Sequence, residues 1–295
     1  MEFGSPAQKR ELLPRILSGE LVVAMAYSEP CAGTDLASLS TRAVREGDDW
    51  VINGQKVFTT FAHDADLVWL AARTDPDAPK HRGISILLVP TDAPGFSVTP
   101  IRTVARERTN ATYYADVRVP AANLVGPENG GWTLITSQLK HERIALATPG
   151  FAESMLDAVW RWAADARAPG GGRLLDEGWV QLALARVQAK LRALQVLAWR
   201  SAWAQGEGIA SMAEASALKV MGSEFFVEAY GLLLQIAGSA GTVVPGEPGA
   251  LLGGILEEAY RGATTLTFGG GVNEVQRDII ATAGLGLPRA RARAA

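Results

Sequence analysis

The stretch from Leu21 to Asp35 carries residue types that suit the binding of a polar ligand. An apolar run over residues 21–26 gives way to small, hydroxylated and acidic residues that include Ser28, Gly33 and Thr34. We interpret this stretch as the end of a strand whose backbone N–H groups and hydroxyls face a polar ligand. A plain surface turn between strands has a similar composition, so the residue types alone leave both interpretations open.

The cysteine and histidine residues argue against disulfide and metal chemistry. Cys31 is the single cysteine, which excludes an internal disulfide and any multi-cysteine metal site. The three histidines, His63, His81 and His141, lack the spacing of metal ligands. We therefore predict no metal site, and the cysteine content fits a reducing compartment.

The overall composition is typical of a globular protein. Of the 295 residues, 48% are hydrophobic, which is enough to form a core. The net charge of -3 gives no positive electrostatic field that would attract nucleic acid. We interpret the arginines of the C-terminal end, Arg289, Arg291 and Arg293, as a solvated basic tail. The sequence shows no apolar run near the roughly 20 residues of a membrane span and no secretory signal, so we predict a cytoplasmic location.

Two periodicities divide the chain into a β half and an α half. A short helix is predicted over residues 6–18, bent or broken at Pro14. Alternating runs separated by turn signals, one of them Asn53-Gly54, predict strands over 21–27, 38–45, 50–60, 66–72, 83–90, 97–103 and 111–118. Helical patterns follow over 132–166, with an interruption at Pro149-Gly150, and over 176–206, 210–238, 250–261 and 272–283. The sequence thus predicts an all-β sandwich or barrel followed by a helix bundle.

Motifs in both halves resemble those of the acyl-CoA dehydrogenases in their order and spacing. The motifs of the β half are Ser28-Glu29-Pro30, Ala32-Gly33-Thr34-Asp35, Asn53-Gly54-Gln55-Lys56, Phe58-Thr59-Thr60, Asp116-Val117-Arg118-Val119-Pro120 and Asn123-Leu124-Val125-Gly126. The motifs of the α half are Gly131-Trp132, Glu142-Arg143, Lys219, Gln235-Ile236, Gly270-Gly271 and Asn273-Glu274-Val275-Gln276-Arg277. The resemblance covers essentially residues 6–288.

The resemblance implies an α+β multidomain FAD enzyme. Its middle β domain would span residues 20–128 and bind the flavin, and its antiparallel four-helix bundle would span residues 129–288. Residues 1–19 would be the last helix of an N-terminal helical domain, and residues 289–295 the basic tail. About 100 residues of that N-terminal domain are absent from the sequence, either through truncation or through natural loss.

Such an enzyme needs a base that removes the α proton of an acyl thioester. Many relatives hold this glutamate before a glycine in the C-terminal glycine-rich turn, where this chain has Gly270. Other relatives, among them the isovaleryl- and long-chain-specific enzymes, place the glutamate before an arginine on the first long helix, a pattern that Glu142-Arg143 resembles. We therefore predict Glu142 as the base, with an exposed glutamate on a solvated helix face as the alternative.

The resemblance also implies a set of FAD contacts. From the β domain these are Tyr27, Ser28, Gly33, Thr34, Phe58 and Thr60, with Thr59 pointing to the opposite face. From the bundle they are Arg167, which in the family comes from a neighbouring subunit, and Gln235, Gly238, Gly270, Gly271, Asn273, Glu274 and Gln276. Spacing alone allows simpler interpretations: Phe58 and Thr60 could alternate on a half-buried strand, and Gly238 could end a helix.

Two residues depart from the family pattern. Cys31 stands where glycine is usual, and Val272 stands where a hydroxylated residue usually follows the glycines. The missing hydroxyl would remove one flavin hydrogen bond, worth about 0.5–1.5 kcal/mol net. This loss weakens FAD binding without abolishing it.

The activity that the resemblance implies is the FAD-dependent α,β-dehydrogenation of an acyl-CoA thioester. Electrons would pass to an electron-transfer flavoprotein, and the protein would form a dimer or tetramer with like or unlike subunits. The sequence leaves the acyl chain open. Two alternatives remain: a non-catalytic or half-active partner subunit that completes an FAD site in a hetero-oligomer, and a flavin oxidase or hydroxylase on the same scaffold.

Overall fold

The computed structural model describes residues 1–288, so the predicted basic tail lies outside the described residues. The chain divides into two compact units, one from Met1 to Gln138 and one that begins at Leu139. The first holds all the strands and the second is helical, which confirms the prediction of a β domain followed by a helix bundle. The division falls inside the first long helix, whereas the sequence predicts a boundary at residue 128.

The first unit contains one helix and eight strands. Helix α1 is Pro6–Ser18, and the strands are β1 Val23–Ala26, β2 Arg42–Glu46, β3 Asp49–Lys56, β4 Leu67–Arg73, β5 Ile84–Pro90, β6 Phe96–Arg102, β7 Arg108–Pro120 and β8 Leu124–Val125. They form one sheet in the order β6-β7-β3-β2-β4-β5-β8, and β1 pairs with β4 in parallel. The core of this unit includes Trp50, Ile52, Leu70 and Leu87, all nearly inaccessible to solvent.

Two segments of the first unit depart from their predicted structure. Helix α1 is not broken at Pro14: it continues through that residue, with a Ser5–Gln8 capping box at its start and the left-handed Gly19 at its end. Asn53-Gly54 is not a turn between strands but lies within β3, where the pairing with β7 shifts between Ile52 and Gly54. The shift is a β-bulge, which places Gly54 against Thr41: a β-carbon at Gly54 would lie 2.5 Å from Thr41 Oγ1.

The second unit is a set of helices packed around one long central helix. Helix α2, Gly131–Ala145, leads into this unit, and it is followed by α3 Gly150–Asp165, α4 Gly178–Gly206, α5 Met212–Ala237, α6 Ile255–Ala263 and α7 Asn273–Ile279. The apolar core of the unit draws on α3, α4 and α5, with Val159, Leu191 and Leu233 fully buried. Helix α5 contributes the most buried residues, so it organises the unit.

One helix of the described chain is long and apolar enough to cross a membrane by length and composition alone. It comprises α5 and the turn after it, Met212–Thr242, and half of its most apolar stretch is buried inside the protein. A core helix of a globular protein has the same properties. The packing of α5 in the bundle core explains its apolar character.

Candidate active site

A buried ion pair fixes the loop that follows β1. Lys56 Nζ lies 2.9 Å from Glu29 Oε1 and also donates to the carbonyl of Tyr27 at 3.0 Å. Glu29 accepts further hydrogen bonds from the backbone and hydroxyl of Ser40 and from the backbone of Thr41. Burial raises the pKa of Glu29, but the Lys56 ammonium and the Ser40 donors outweigh it and lower that pKa to about 2. Burial lowers the pKa of Lys56 to about 8, against the attraction of Glu29. Both partners are therefore charged at pH 7, and the pair holds the backbone before and after Ser28.

The loop itself is a tight turn that exposes its polar residues. Glu29 and Ala32 exchange two backbone hydrogen bonds across it, at 3.0 and 3.1 Å. Gly33 and Thr34 are exposed and Ser28 is half-buried, whereas Tyr27 is buried and its hydroxyl accepts from Trp69 Nε1 at 2.9 Å. In the structure, a ligand can therefore reach Ser28, Gly33 and Thr34, whereas Tyr27 is buried.

A strained turn after β3 presents two aromatic rings to solvent. The predicted strand over 50–60 ends at Lys56, because Phe58 and Phe61 have φ angles of 60° and 64°, which a strand does not allow. The two rings are 64% and 62% exposed, while Thr59 between them is fully buried. Bulky residues rarely adopt this backbone, and such strain clusters at functional sites.

Hydrogen bonds to β7 hold this strained turn in place. The Thr59 N–H donates to the Asn110 carbonyl, and the Asn110 side chain donates back to the Thr59 carbonyl, both at 2.9 Å. Thr60 Oγ1 lies 3.2 Å from the hydroxyl of Thr109. The Val57 N–H donates to the carbonyl of Ser28 at 2.9 Å, which ties the turn to the loop after β1. The structure thus brings the predicted residues Ser28, Phe58 and Thr60 onto neighbouring segments.

In the second unit, Glu142 lies against the glycine-rich turn that precedes α7. A β-carbon placed on Gly270 would lie 3.7 Å from Glu142 Oε1 and 3.0 Å from Leu146 Cδ1. Glu142 is half-buried, which favours a role at this turn over that of a fully solvated residue on a helix face. Its carboxylate lies beside the place that a side chain at position 270 would take.

Two buried cations hold the glycine-rich turn. Arg143 Nε donates to the Gly270 carbonyl at 3.1 Å, and Lys219 Nζ donates to the carbonyls of Thr267 and Gly271 at 3.0 and 2.8 Å. Burial lowers the pKa of Arg143, against the attraction of Glu142. Burial, followed by repulsion from Arg143, lowers the pKa of Lys219 to about 8. These donors satisfy the carbonyls of an otherwise irregular segment.

The start of α7 contributes three of the predicted flavin contacts. The Asn273 side chain accepts from Lys219 Nζ at 2.7 Å and exchanges hydrogen bonds with Ser223, so it belongs to an internal network. Glu274 is exposed, and Gln276 is fully buried with its Oε1 accepting from Ser216 at 2.8 Å. A cavity of about 340 Å³ opens here, lined by Glu224, Thr267, Phe268, Val272, Asn273 and Glu274.

Three other predicted contacts lie away from this cluster. Arg167 is exposed in the loop after α3, and Gln235 follows Lys219 by 16 residues, about 24 Å along the helix. Gly238 is the C-cap of α5, with φ 60° and its N–H donating to the carbonyl of Leu234, so the helix-end interpretation is confirmed. The role of these three residues in binding a flavin stays a prediction, and for Arg167 that prediction involves a neighbouring subunit.

The residues present fit a flavin on two observations. Within residues 1–288, the buried Nε2 of Gln276 has no hydrogen-bond partner, and it lies 2.6 Å from where a β-carbon at Gly271 would stand. A buried N–H donor without a partner, next to glycines that leave space for a ligand, can donate to an acceptor atom of that ligand. In the first unit, the exposed ring of Phe58 provides an apolar surface for a planar group.

Sequence reasoning missed the roles of three residues. Lys219 has a family match but no predicted role, Arg143 is considered only as the neighbour of Glu142, and Phe61 is not considered. A lysine within the apolar run Ala217-Leu218-Lys219-Val220-Met221 is a signal that could have found the first, since a buried lysine needs several acceptors. The exposure of Phe61 has no comparable sequence signal.

Comparisons with known proteins find matches for both halves of the chain. The family model "Acyl-CoA dehydrogenase, middle domain" matches residues 24–117, and "Acyl-CoA dehydrogenase, C-terminal domain" matches residues 129–285. Acyl-CoA dehydrogenase FadE26 of Mycobacterium tuberculosis is 54% identical in an alignment 296 residues long, gaps included, that covers 98% of this chain and 74% of that protein.

Two solved structures are similar over nearly the whole chain. A chain of the ChsE4-ChsE5 complex from Mycobacterium tuberculosis is 54% identical with a TM-score of 0.91, covering 98% of this chain and 74% of that one. A chain of the Tcur3481-Tcur3483 steroid ACAD is 50% identical with a TM-score of 0.93, again covering 98% and 74%.

Proposed function

The chain belongs to the acyl-CoA dehydrogenase family, and from that premise we propose that it oxidises an acyl-CoA thioester to its 2,3-enoyl product with FAD as cofactor. The proposal includes Glu142 as the base and an electron-transfer flavoprotein as the electron acceptor. The observation that carries it is the position of the Glu142 carboxylate, 3.7 Å from where a side chain at Gly270 would begin.

This position supports Glu142 as the replacement for the glutamate that the glycine-rich turn lacks. A glutamate on α2 and a glutamate at position 270 would place their carboxylates in the same region. Either one could therefore contact the same atom of the substrate. Because Gly270 has no side chain, the space beside Glu142 Oε1 stays open. Arg143 fixes the turn through the Gly270 carbonyl and thereby sets the distance between turn and carboxylate.

In the proposed dehydrogenation, the protein itself carries out one proton transfer. Glu142 Oε1 would remove the α proton of the thioester, and loss of a hydride from the β carbon completes the double bond between the α and β carbons. Bound FAD supplies the acceptor for the hydride that the β carbon releases. In the β domain, Ser28, Thr34, Phe58 and Thr60 would contact the cofactor. In the bundle, Gln276 would offer its Nε2 as a donor to a flavin, and the half-buried setting of Glu142 limits its access to water.

We also propose that this chain is a subunit of a hetero-oligomer and that the hetero-oligomer acts on a steroid-derived acyl-CoA. The support is similarity to chains of a ChsE4-ChsE5 complex and of a steroid ACAD that pairs Tcur3481 with Tcur3483. The alternative of a non-catalytic partner subunit is less well supported, because Glu142 is retained and lies at the glycine-rich turn.

The test is to purify the protein alone and after co-expression with the chain encoded next to it. We expect a yellow protein with a flavin spectrum in at least the co-expressed sample, and anaerobic bleaching when a steroid-derived acyl-CoA is added. A preparation that binds flavin but is bleached by no acyl-CoA would overturn the proposed activity. A preparation that takes up no flavin in either form would overturn the proposed cofactor.

A further inference from the structure

The turn before α7 consists of residues that do not fix a conformation by themselves. It contains three successive glycines, residues 269–271, and the φ angles of Gly270 and Gly271 are 65° and 97°. A glycine loses more conformational freedom on folding than any other residue. The turn therefore needs contacts from other elements to keep its distance from Glu142.

Lys219 of α5 binds both ends of this turn. Its Nζ donates to the Thr267 carbonyl at 3.0 Å and to the Gly271 carbonyl at 2.8 Å, and Gly270 lies between these two residues in the chain. The third hydrogen bond, at 2.7 Å, goes to Oδ1 of Asn273, the first residue of α7. Lys219 is 1% exposed, so solvent has almost no access to it.

The number of acceptors around Lys219 matches its charged form. An ammonium group has three N–H donors, and each of them has one acceptor here. A neutral amine has only two N–H donors. Loss of one proton from Lys219 therefore leaves one acceptor without its donor, and a buried acceptor without a partner is unfavourable.

The groups that face Lys219 decide how readily it loses that proton. Burial, followed by repulsion from Arg143 of α2, lowers the pKa of Lys219 to about 8. Glu274 of α7 and Glu224 of α5 oppose this change, because their carboxylates attract the ammonium. The turn itself, residues 264–272, has no charged side chain. A mildly alkaline solution is therefore sufficient to deprotonate Lys219.

Two side chains of the proposed site lie directly against the turn. Glu142 Oε1 is 3.7 Å from where a β-carbon at Gly270 would stand, and Gln276 Nε2 is 2.6 Å from the corresponding point at Gly271. Gln276 belongs to α7, and the side chain of the first residue of that helix accepts from Lys219. A movement of the turn, or of the start of α7, changes both distances.

We propose that Lys219 is a positioning residue of the dehydrogenation, which holds Glu142 and Gln276 at their places by binding both ends of the glycine-rich turn and the start of α7. The inference rests on the proposed function, because it concerns the rate of that reaction. Lys219 acts through the turn and transfers no proton to the substrate. When it loses its own proton, the turn loses a contact and the reaction slows.

The slower reaction in alkaline solution does not reflect unfolding. The pKa of Lys219 is lowered from 10.5 in the unfolded chain to about 8 in the folded protein. Between these two values the unfolded chain binds more protons, so the contribution of Lys219 to the free energy of unfolding rises with pH. The account thus predicts that activity falls above pH 8 while this contribution to stability increases.

The experiment compares Lys219→Met with the control Lys190→Met. Methionine and lysine have similar helix propensities, and Lys190 is an exposed residue of α4 that pairs with Glu228. Each protein is prepared with any partner that it retains. Stopped-flow measurements give the anaerobic bleaching rate with a steroid-derived acyl-CoA at pH 7 and pH 9. Hydrogen–deuterium exchange compares peptides from residues 264–276 with reference peptides from residues 225–236 of α5, and it requires neither flavin nor substrate.

We expect the limiting bleaching rate of the wild type to fall about tenfold from pH 7 to pH 9, because about one molecule in ten keeps its proton one unit above the pKa. Lys219→Met should bleach at least about tenfold more slowly than the wild type at pH 7, with an unchanged dissociation constant for the acyl-CoA and no further fall at pH 9. Its turn peptides should exchange about tenfold faster, and the reference peptides at the wild-type rate. Lys190→Met should behave as the wild type.

Equal exchange of the turn peptides in Lys219→Met and the wild type would overturn the proposal, and so would a wild-type bleaching rate that is the same at pH 7 and pH 9. If circular dichroism shows that Lys219→Met does not fold, the wild type decides alone. Its turn peptides, corrected for the intrinsic rate of exchange, must then lose protection between pH 7 and pH 9. Absence of bleaching in every protein contradicts the proposed function, and the exchange data then decide on Lys219 by themselves.

Discussion

At the scale of single residues, the site depends on buried charges whose partners are all supplied by the same unit. Lys56 and Glu29 are almost inaccessible to solvent and hold the loop that carries Ser28. Arg143 and Lys219 hold the turn that carries Gly270. In each unit, therefore, a cation fixes an irregular segment through its backbone carbonyls, and the segment presents the residues proposed to meet the ligand.

Glu29→Gln should destabilise the protein in a pH-dependent way. The pKa of Glu29 is lowered from 4.5 to about 2, so its stabilising contribution is complete above pH 4.5 and is lost as the pH falls toward 2. That difference corresponds to about 3 kcal/mol at neutral pH. Urea unfolding of wild type and variant should show a gap of this order at pH 7 that narrows below pH 4.5.

The matched control for this prediction is Glu46→Gln. Glu46 pairs with Arg118 at 2.7 Å, but both side chains are more than half exposed. Its loss should cost less than about 1 kcal/mol, because water and salt screen a surface pair. An equal loss of stability in the two variants would contradict the role assigned to the buried pair.

At the scale of elements, a close approach fixes the path of β3. A β-carbon at Gly54 would lie 2.7 Å from Thr41 Cα, so the bulge brings β3 against the residue before β2. Gly54→Ala should therefore destabilise the protein by about 2 kcal/mol or more, through overpacking and backbone strain. The midpoint of urea unfolding measures this directly.

Gly206→Ala provides the comparison for that substitution. Gly206 is the last residue of α4, and a β-carbon there meets no atom within 4 Å. The change should be neutral or should stabilise the protein by about 0.5–1 kcal/mol, since alanine restricts the unfolded chain. If the two alanine variants have the same free energy of unfolding, the close approach at Gly54 does not contribute to stability, and the prediction is contradicted.

Periodicity was sufficient to predict most elements but not their irregular ends. The long helices and seven of the strands follow from apolar spacing, whereas β8 is only two residues long and gives no pattern. Asn53-Gly54 has the composition of a turn, and only its pairing with β7 shows that it is a bulge. The end of β3 depends on the positive φ of Phe58, which no propensity of phenylalanine indicates.

The candidate site was predictable only where a motif marks it. Glu142 followed from the resemblance, but its distance from Gly270 depends on how α2 packs on the turn before α7, which lies more than 120 residues later. The acceptors of Lys219 lie 48 to 54 residues further along the chain. Long-range contacts of this kind have no local signal, so the sequence did not reveal the role of Lys219.

At the scale of the whole molecule, the proposed flavin site would draw on more than one chain. Arg167 is exposed in the loop after α3, and the family resemblance implies that this arginine completes the site of a neighbouring subunit. Assembly with a second subunit is therefore part of the proposed activity.

The central claim is that Glu142 removes the α proton, and anaerobic flavin bleaching tests it most directly. Wild type, Glu142→Gln and the control Glu207→Gln, an exposed residue at the end of α4, are each loaded with FAD and mixed with a steroid-derived acyl-CoA. We predict that Glu142→Gln keeps its flavin spectrum but bleaches at least about 100-fold more slowly, since a positioned base contributes at least that factor. The control should bleach at the wild-type rate. Bleaching of Glu142→Gln at the wild-type rate would contradict the assignment of the base.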